Sequence, residues 1–85
     1  MNKIKLYCNN GLFLWETGDS CKVKTLTSVK DESDLHETMI PEGILLDVEY
    51  CDQSLYGTFM VVNYKGDEFW IKPKYVELLN KEVIG

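Results

Sequence analysis

An 85-residue chain that is 45% apolar, carries a net charge of −5 and has no long uninterrupted apolar run can build one small core and excludes a membrane-spanning helix. It contains neither alanine nor arginine. Missing alanine, beside five tyrosines and many Val, Ile, Thr and Phe, moves the propensity balance from helix to strand, and missing arginine removes the side chain best suited to bidentate contact with phosphates and guanine edges. The expectation is an all-β single domain over 1–85, with direct nucleic-acid binding disfavoured.

Met1 to Trp15 opens the chain with two short apolar runs, I-K-L-Y-C and L-F-L-W, on either side of Asn9-Asn10-Gly11. Asn and Gly tolerate positive φ, so this is hairpin punctuation. It also cuts the apolar segment too early for a signal-peptide core, so a cytoplasmic protein is expected. Glu16-Thr17-Gly18-Asp19 reads as a turn. Cys21 to Val29 resumes strand character, with a bulge or the end of regular pairing near Thr25, where Leu26 breaks the alternation.

Lys30 to Gly43 is polar and acidic, with Leu35, Met39 and Ile40 as candidate anchors. An ordered long loop is favoured over two helical turns from Glu32 to Met39. Ile44 to Tyr50 then alternates cleanly, which puts Ile44, Leu46, Val48 and Tyr50 on one core-facing side. Cys51 to Gly57 is read as a connection. Thr58 to Tyr64 is apolar on both sides until Asn63, as in a strand covered twice. Lys65-Gly66-Asp67 is a tight turn, and Glu68 to Lys72 a further strand. Pro73 forces a turn before the short run Val76 to Leu79, and Asn80 to Gly85 is a polar tail prone to fraying.

Charge is unevenly placed. Asp31, Glu32, Asp34, Glu37, Glu42, Asp47, Glu49 and Asp52 follow one another with no lysine between Asp31 and Asp52, while the nine lysines lie outside that window. Such asymmetry suits a basic partner surface; it also describes an acidic face that merely keeps a small protein soluble.

The order of pieces over residues 20–79 resembles the Src homology 3 domain and its bacterial SH3-like relatives, which are small five-stranded barrels. D-E-S-D-L-H-E-T-M-I-P-E-G-I-L-L-D-V, Asp31 to Val48, is similar to the family's long acidic RT loop. K-G-D-E-F-W-I-K-P-K-Y-V-E-L, Lys65 to Leu78, is similar to its distal hairpin, one-turn 3₁₀ helix and last strand, with Trp70 and Tyr75 at the family's spacing. Pro73 falls one residue later than the family's proline, K-T-L-T-S-V replaces the tyrosine-rich motif before the RT loop, and no tryptophan opens the Thr58 strand. The walls that grip a polyproline helix are therefore incomplete. Residues 1–18 lie outside the resemblance and read as an added N-terminal β-hairpin.

The resemblance implies a shallow groove between the acidic loop and the turn holding Pro73 and Tyr75. Asp31, Glu32, Asp34 and Glu37 would flank it, and Tyr56, Trp70, Pro73 and Tyr75 would supply its aromatic and proline surface. Trp70 is as readily a core residue as a contact.

Nothing in the chain assembles a catalytic group: His36, the one histidine, has no nucleophile in a motif and reads as a solvent-exposed loop residue, and no glycine loop cradles phosphate. Cys8, Cys21 and Cys51 are an odd count without a C-x-x-C pair, so three reduced thiols are expected rather than a disulfide framework or, with His36, a metal site. No metal and no cofactor are expected. The leading expectation is a non-enzymatic SH3-like interaction module that presents its acidic loop to a protein partner with a basic surface. The alternative is a small acidic inhibitor of phage or mobile-element type, whose carboxylates imitate nucleic-acid phosphates and block a DNA-binding host protein. Nucleic-acid binding through Lys22, Lys24, Lys65, Lys72 and Lys74 ranks last. Self-association through the hairpin edge or the second face of the Thr58 strand stays open.

Overall fold

The structure, a computed structural model, describes residues 3–81. These form β1 (Lys3–Cys8), β2 (Gly11–Glu16), β3 (Cys21–Thr25), β4 (Leu45–Ser54), β5 (Gly57–Tyr64), β6 (Asp67–Ile71), a 3₁₀ turn (Pro73–Tyr75) and β7 (Val76–Leu78). The all-β class expected from composition is observed. β1 and β2 make one antiparallel sheet, and the other five strands make a second in the order β6-β5-β4-β3-β7. This second sheet is open: among the described residues no ladder joins β6 to β7, so a closed barrel is not formed by strand pairing.

The outer edges of the open sheet are instead met by side chains. At β7 the Asn10 amide donates to the Leu78 carbonyl (2.9 Å) and accepts from the Leu78 N–H (3.0 Å), while the Asn9 N–H donates to the Val76 carbonyl (2.9 Å). The turn of the first hairpin thus stands in for a neighbouring strand. At β6 the Trp70 N–H donates to Asp31 Oδ1 (3.1 Å) and the Trp70 carbonyl accepts from the Glu32 N–H (2.7 Å). Both devices satisfy backbone groups that an open edge leaves exposed.

Strand alternation explains the core. β1 buries every second residue, and Ile4, Leu6, Phe13 and Trp15 pack in one cluster with Val23, Leu46, Val48, Met60, Val62, Phe69, Ile71, Val76 and Leu78. The hairpin is therefore a cover of the open sheet and part of its core, more than an addition to it. Positive φ closes two of the hairpins: Gly11 (134°) follows Asn9-Asn10, and Lys65 (51°) with Gly66 (87°) makes the two-residue geometry that matches strand twist. The Asn63 side chain accepts from the Gly66 N–H (3.1 Å) and helps hold the second.

The long segment after β3 is a loop without helix, as favoured from sequence. Thr25, fully buried, ties its base: its hydroxyl donates to the Pro41 carbonyl (2.7 Å) and accepts from the Ile44 N–H (2.9 Å). An isolated bridge pairs Val29 with Ile40. Of the three candidate anchors only Ile40 is buried; Leu35 and Met39 are exposed. Regular pairing of β3 ends at Thr25, one of the two explanations for the break at Leu26, so strand character does not run on to Val29 as a paired strand.

Two expectations are corrected around β4. The strand runs on to Ser54, and only Leu55 and Tyr56 form the turn to β5. A register shift between Val48 and Tyr50 inserts Glu49 as an extra residue, so Tyr50 turns outward and Cys51 takes its place in the core. At the tail, Asn80 and Lys81 are held: the Asn80 side chain accepts from the Lys22 N–H (2.8 Å), and the Lys81 ammonium sits 2.7 Å from Asp19. Hydrogen bonding to Lys81, with help from the Glu16 N–H, holds the Asp19 carboxyl below its usual range. The remainder of the expected tail, 82–85, lies outside the described residues. No helix among the described residues is long and apolar enough to cross a membrane.

Candidate functional site

β5 is central, between β4 and β6, and its two faces differ. Met60 and Val62 point into the core, whereas Val61 points the other way and is nonetheless fully buried. Its cover is aromatic. Tyr50, Val61 and Trp70 are directly paired across β4, β5 and β6. Trp70 meets Tyr50 edge-on (6.4 Å between ring centroids, 90°) and Phe59 at a tilt (5.9 Å, 54°). Such pairs contribute about 0.5–1.5 kcal/mol beyond the area they bury, so the trio packs as an aromatic platform on the sheet's second face.

Beside it runs a groove of about 340 Å³, lined by Glu32 and Ser33 from the long loop, Asp52, Ser54 and Tyr56 from the β4–β5 hairpin, and the rings of Phe59 and Trp70. Asp52 stands opposite Phe59 in the ladder, which places a carboxylate at the platform's margin. Burial pushes the Tyr50 hydroxyl above its ordinary pKa, and the charges of Glu68, Asp52 and Glu49 push it the same way. Those carboxylates form a local negative field. None of them, nor Glu32, has an ion-pair partner among the described residues, where the pairs are Lys3–Glu16, Lys22–Asp47, His36–Asp31 and Lys81–Asp19.

The expected site residues divide. Glu32, Tyr56 and Trp70 are brought together in this groove. Asp31 lies beneath the surface, 1% exposed, and cannot meet a partner. Its Oδ1 accepts from the Ser33 N–H (3.0 Å), the Ser33 hydroxyl (2.7 Å) and the Trp70 N–H (3.1 Å), whereas Oδ2 is buried without a hydrogen bond, 3.9 Å from His36 Nε2. Burial raises the Asp31 pKa, but the hydrogen bonds from Ser33 and Trp70 and the nearby His36 outweigh it, and the carboxyl titrates below its usual value. Asp31 is a positioning residue that sets Glu32 against β6.

Asp34 is exposed at the loop tip with φ of 60°, and Glu37 is exposed; neither lines the groove. Pro73 is buried, and Tyr75 is partly exposed under the Lys74 ammonium (5.1 Å from its ring centre). The groove therefore lies toward the β4–β5 hairpin rather than toward the Pro73–Tyr75 turn. His36 is not a free loop side chain: it stacks on Phe69 (4.4 Å, 10°) at the margin of a separate hollow bounded by Tyr64 and Asp67. Phe59, Asp52 and Tyr50 were not expected in the site. The apolar second face of the Thr58 strand was their one sequence signal.

The three thiols are buried and reduced. Burial, with the other cysteines nearby, pushes Cys8 and Cys51 up to about 12, and burial raises Cys21 also. They behave as small core residues and not as nucleophiles. Among the described residues no group of three or more His, Cys, Asp or Glu side chains is arranged to hold a metal ion. Comparison with protein-family models, curated proteins and solved structures finds no match to this chain.

Proposed function

We propose that the protein is a non-enzymatic, SH3-like interaction module whose groove between Glu32 and Tyr56 receives a basic segment of a protein partner. The SH3-like reading is supported by the strand order, in which β3 to β6 meander and β7 returns beside β3, and by the single 3₁₀ turn before β7. The observation that carries the binding reading is the platform of exposed Tyr50 and half-buried Phe59 and Trp70, rimmed by carboxylates that no lysine among the described residues neutralises. Aromatic anchors supply contact area, and unpaired acids choose the sign of the partner.

Imitation of nucleic-acid charge is the weaker reading. It needs spaced free carboxylates on one surface, and in the acidic window Asp31 is internal while Asp47 is paired with Lys22 (3.1 Å). The test is charge reversal at Glu32→Lys with Asp52→Lys. The double variant is expected to keep its circular dichroism and melting temperature and to lose capture of its partner from host lysate. Undiminished capture would remove the groove as the site.

A further inference from the structure

A second groove, of about 290 Å³, abuts the first and has the opposite charge. Lys5 on the outer face of β1, Lys72 after β6 and Lys74 in the 3₁₀ turn line it with Tyr7, and Tyr56 and Phe59 line both grooves. Tyr7 is 63% and Tyr56 89% exposed, far more than folding requires of an aromatic ring. Among the described residues none of the three lysines has an ion-pair partner. The first hairpin thus does more than cover the core, because it contributes Lys5 and Tyr7 to this surface.

We infer that one extended segment of the protein partner crosses both grooves over Tyr56 and Phe59, with a basic residue on the Glu32–Asp52 side and an acidic residue on the Lys72–Lys74 side. The inference rests on the acidic groove being the docking site and adds the second half of the ligand. Sign change along one line decides the class of occupant. A nucleic-acid strand drawn to the lysines would run past Tyr56 into Glu32 and Asp52, where like charges repel it. A uniformly basic peptide would meet the lysines at its far end. A polypeptide that changes sign satisfies both, and its direction along the surface is fixed by the charges.

The test is an NMR titration of the isotope-labelled 85-residue protein with synthetic peptides about twelve residues long, enough to span both grooves when extended. One probe has a lysine block, a Leu/Pro middle and a glutamate block, made in both chain directions. A second has the same composition with the charges alternating, and a third carries lysine at every charged position. Oligothymidylate is the nucleic-acid probe. One direction of the block peptide is expected to bind about fivefold more tightly than the alternating and all-lysine peptides, moving the amides of both Glu32 and Lys74. Lys72→Glu with Lys74→Glu should erase that preference without weakening the all-lysine probe. If circular dichroism shows that variant to be unfolded, Lys5→Glu on the exposed strand face is used, with the same expectation.

An all-lysine peptide that binds as well as the block peptide overturns the inference and leaves the acidic-groove reading standing. Absence of any shift at Glu32, Asp52 or Trp70 with every peptide overturns both. Oligothymidylate binding at Lys72 and Lys74 more tightly than the block peptide makes the second groove a nucleic-acid site and overturns the inference.

Discussion

The two edges of the five-stranded sheet are closed by the same device built from different chemistry. At β7 the Asn10 amide offers a donor and an acceptor to one residue, Leu78, as a paired strand would. At β6 the Asp31 carboxylate accepts from Trp70 and Ser33 but can donate nothing, so the Trp70 carbonyl takes the Glu32 N–H instead, and Asp31 Oδ2 stays without a hydrogen bond in the interior, 3.9 Å from His36. The first closure is neutral and complete. The second is charged and partly satisfied, and it lies beside the groove. A carboxylate gives stronger individual hydrogen bonds than an amide, at the cost of making that edge titratable.

The largest effect should come from deleting the charged closure. Asp31→Ala leaves the Trp70 and Ser33 N–H groups without their acceptor, and about 2–4 kcal/mol of stability is expected to be lost in urea unfolding. A loss no greater than that of an average surface substitution would show that Asp31 does not hold the edge. Its titration sharpens the point. Because the folded carboxyl titrates below its usual value, the stability it supplies is full above about pH 3.9, the unfolded value, and is lost as pH falls through the folded one. Asp31→Asn should flatten that acid limb.

The neutral edge has its own weakness in base, since Cys8 directly precedes Asn9 and Asn10. Thiols raised to about 12 stabilise the fold fully below the unfolded value near 8.5 and progressively less as pH rises toward the folded value. About 1–2 kcal/mol per thiol is expected to be lost by pH 10, and Cys8→Val with Cys51→Val should remove most of that alkaline limb. Iodoacetamide at pH 8 should label none of the three cysteines until urea is added; rapid native labelling of Cys8 would mean that the hairpin opens on its own.

Asn10→Ala should have the smallest effect, a loss of about 1 kcal/mol with no change in pH dependence. Asn10→Asp converts the neutral edge into a charged one whose second oxygen faces the Leu78 carbonyl. It should be less stable at neutral pH and recover as pH falls through about 4, the opposite of the behaviour at Asp31.

Local punctuation was legible in the sequence. Asn9-Asn10-Gly11 and Lys65-Gly66 are turns because Gly11 and Gly66 take up positive φ freely, and the alternation in β3 and β4 marked their buried faces as far as Val48. What was hidden depended on pairing. The bulge at Glu49 exists only in register with β5, and it is what turns Tyr50 onto the outer face and extends β4 to Ser54. Asp31 looked like any acid of a polar loop, because its burial requires the free edge of Trp70, thirty-nine residues away. The acidic groove was hidden for the same reason: Asp52 and Phe59 meet only across the β4–β5 ladder. Tyr56 and Trp70, singled out from sequence as aromatic candidates, both line the groove.

The contrast between neighbouring carboxylates in the loop is the most direct point of attack, with Asp31 assigned to the fold and Glu32 to the partner. Asp31→Ala and Glu32→Lys are to be compared side by side, each for urea midpoint and for partner capture from host lysate under conditions where both are folded. Asp31→Ala is expected to lower the midpoint sharply, while Glu32→Lys keeps the wild-type midpoint and loses the partner. A Glu32→Lys protein that captures as well as wild type, or an Asp31→Ala protein that unfolds at the wild-type midpoint, would contradict the division of labour between them.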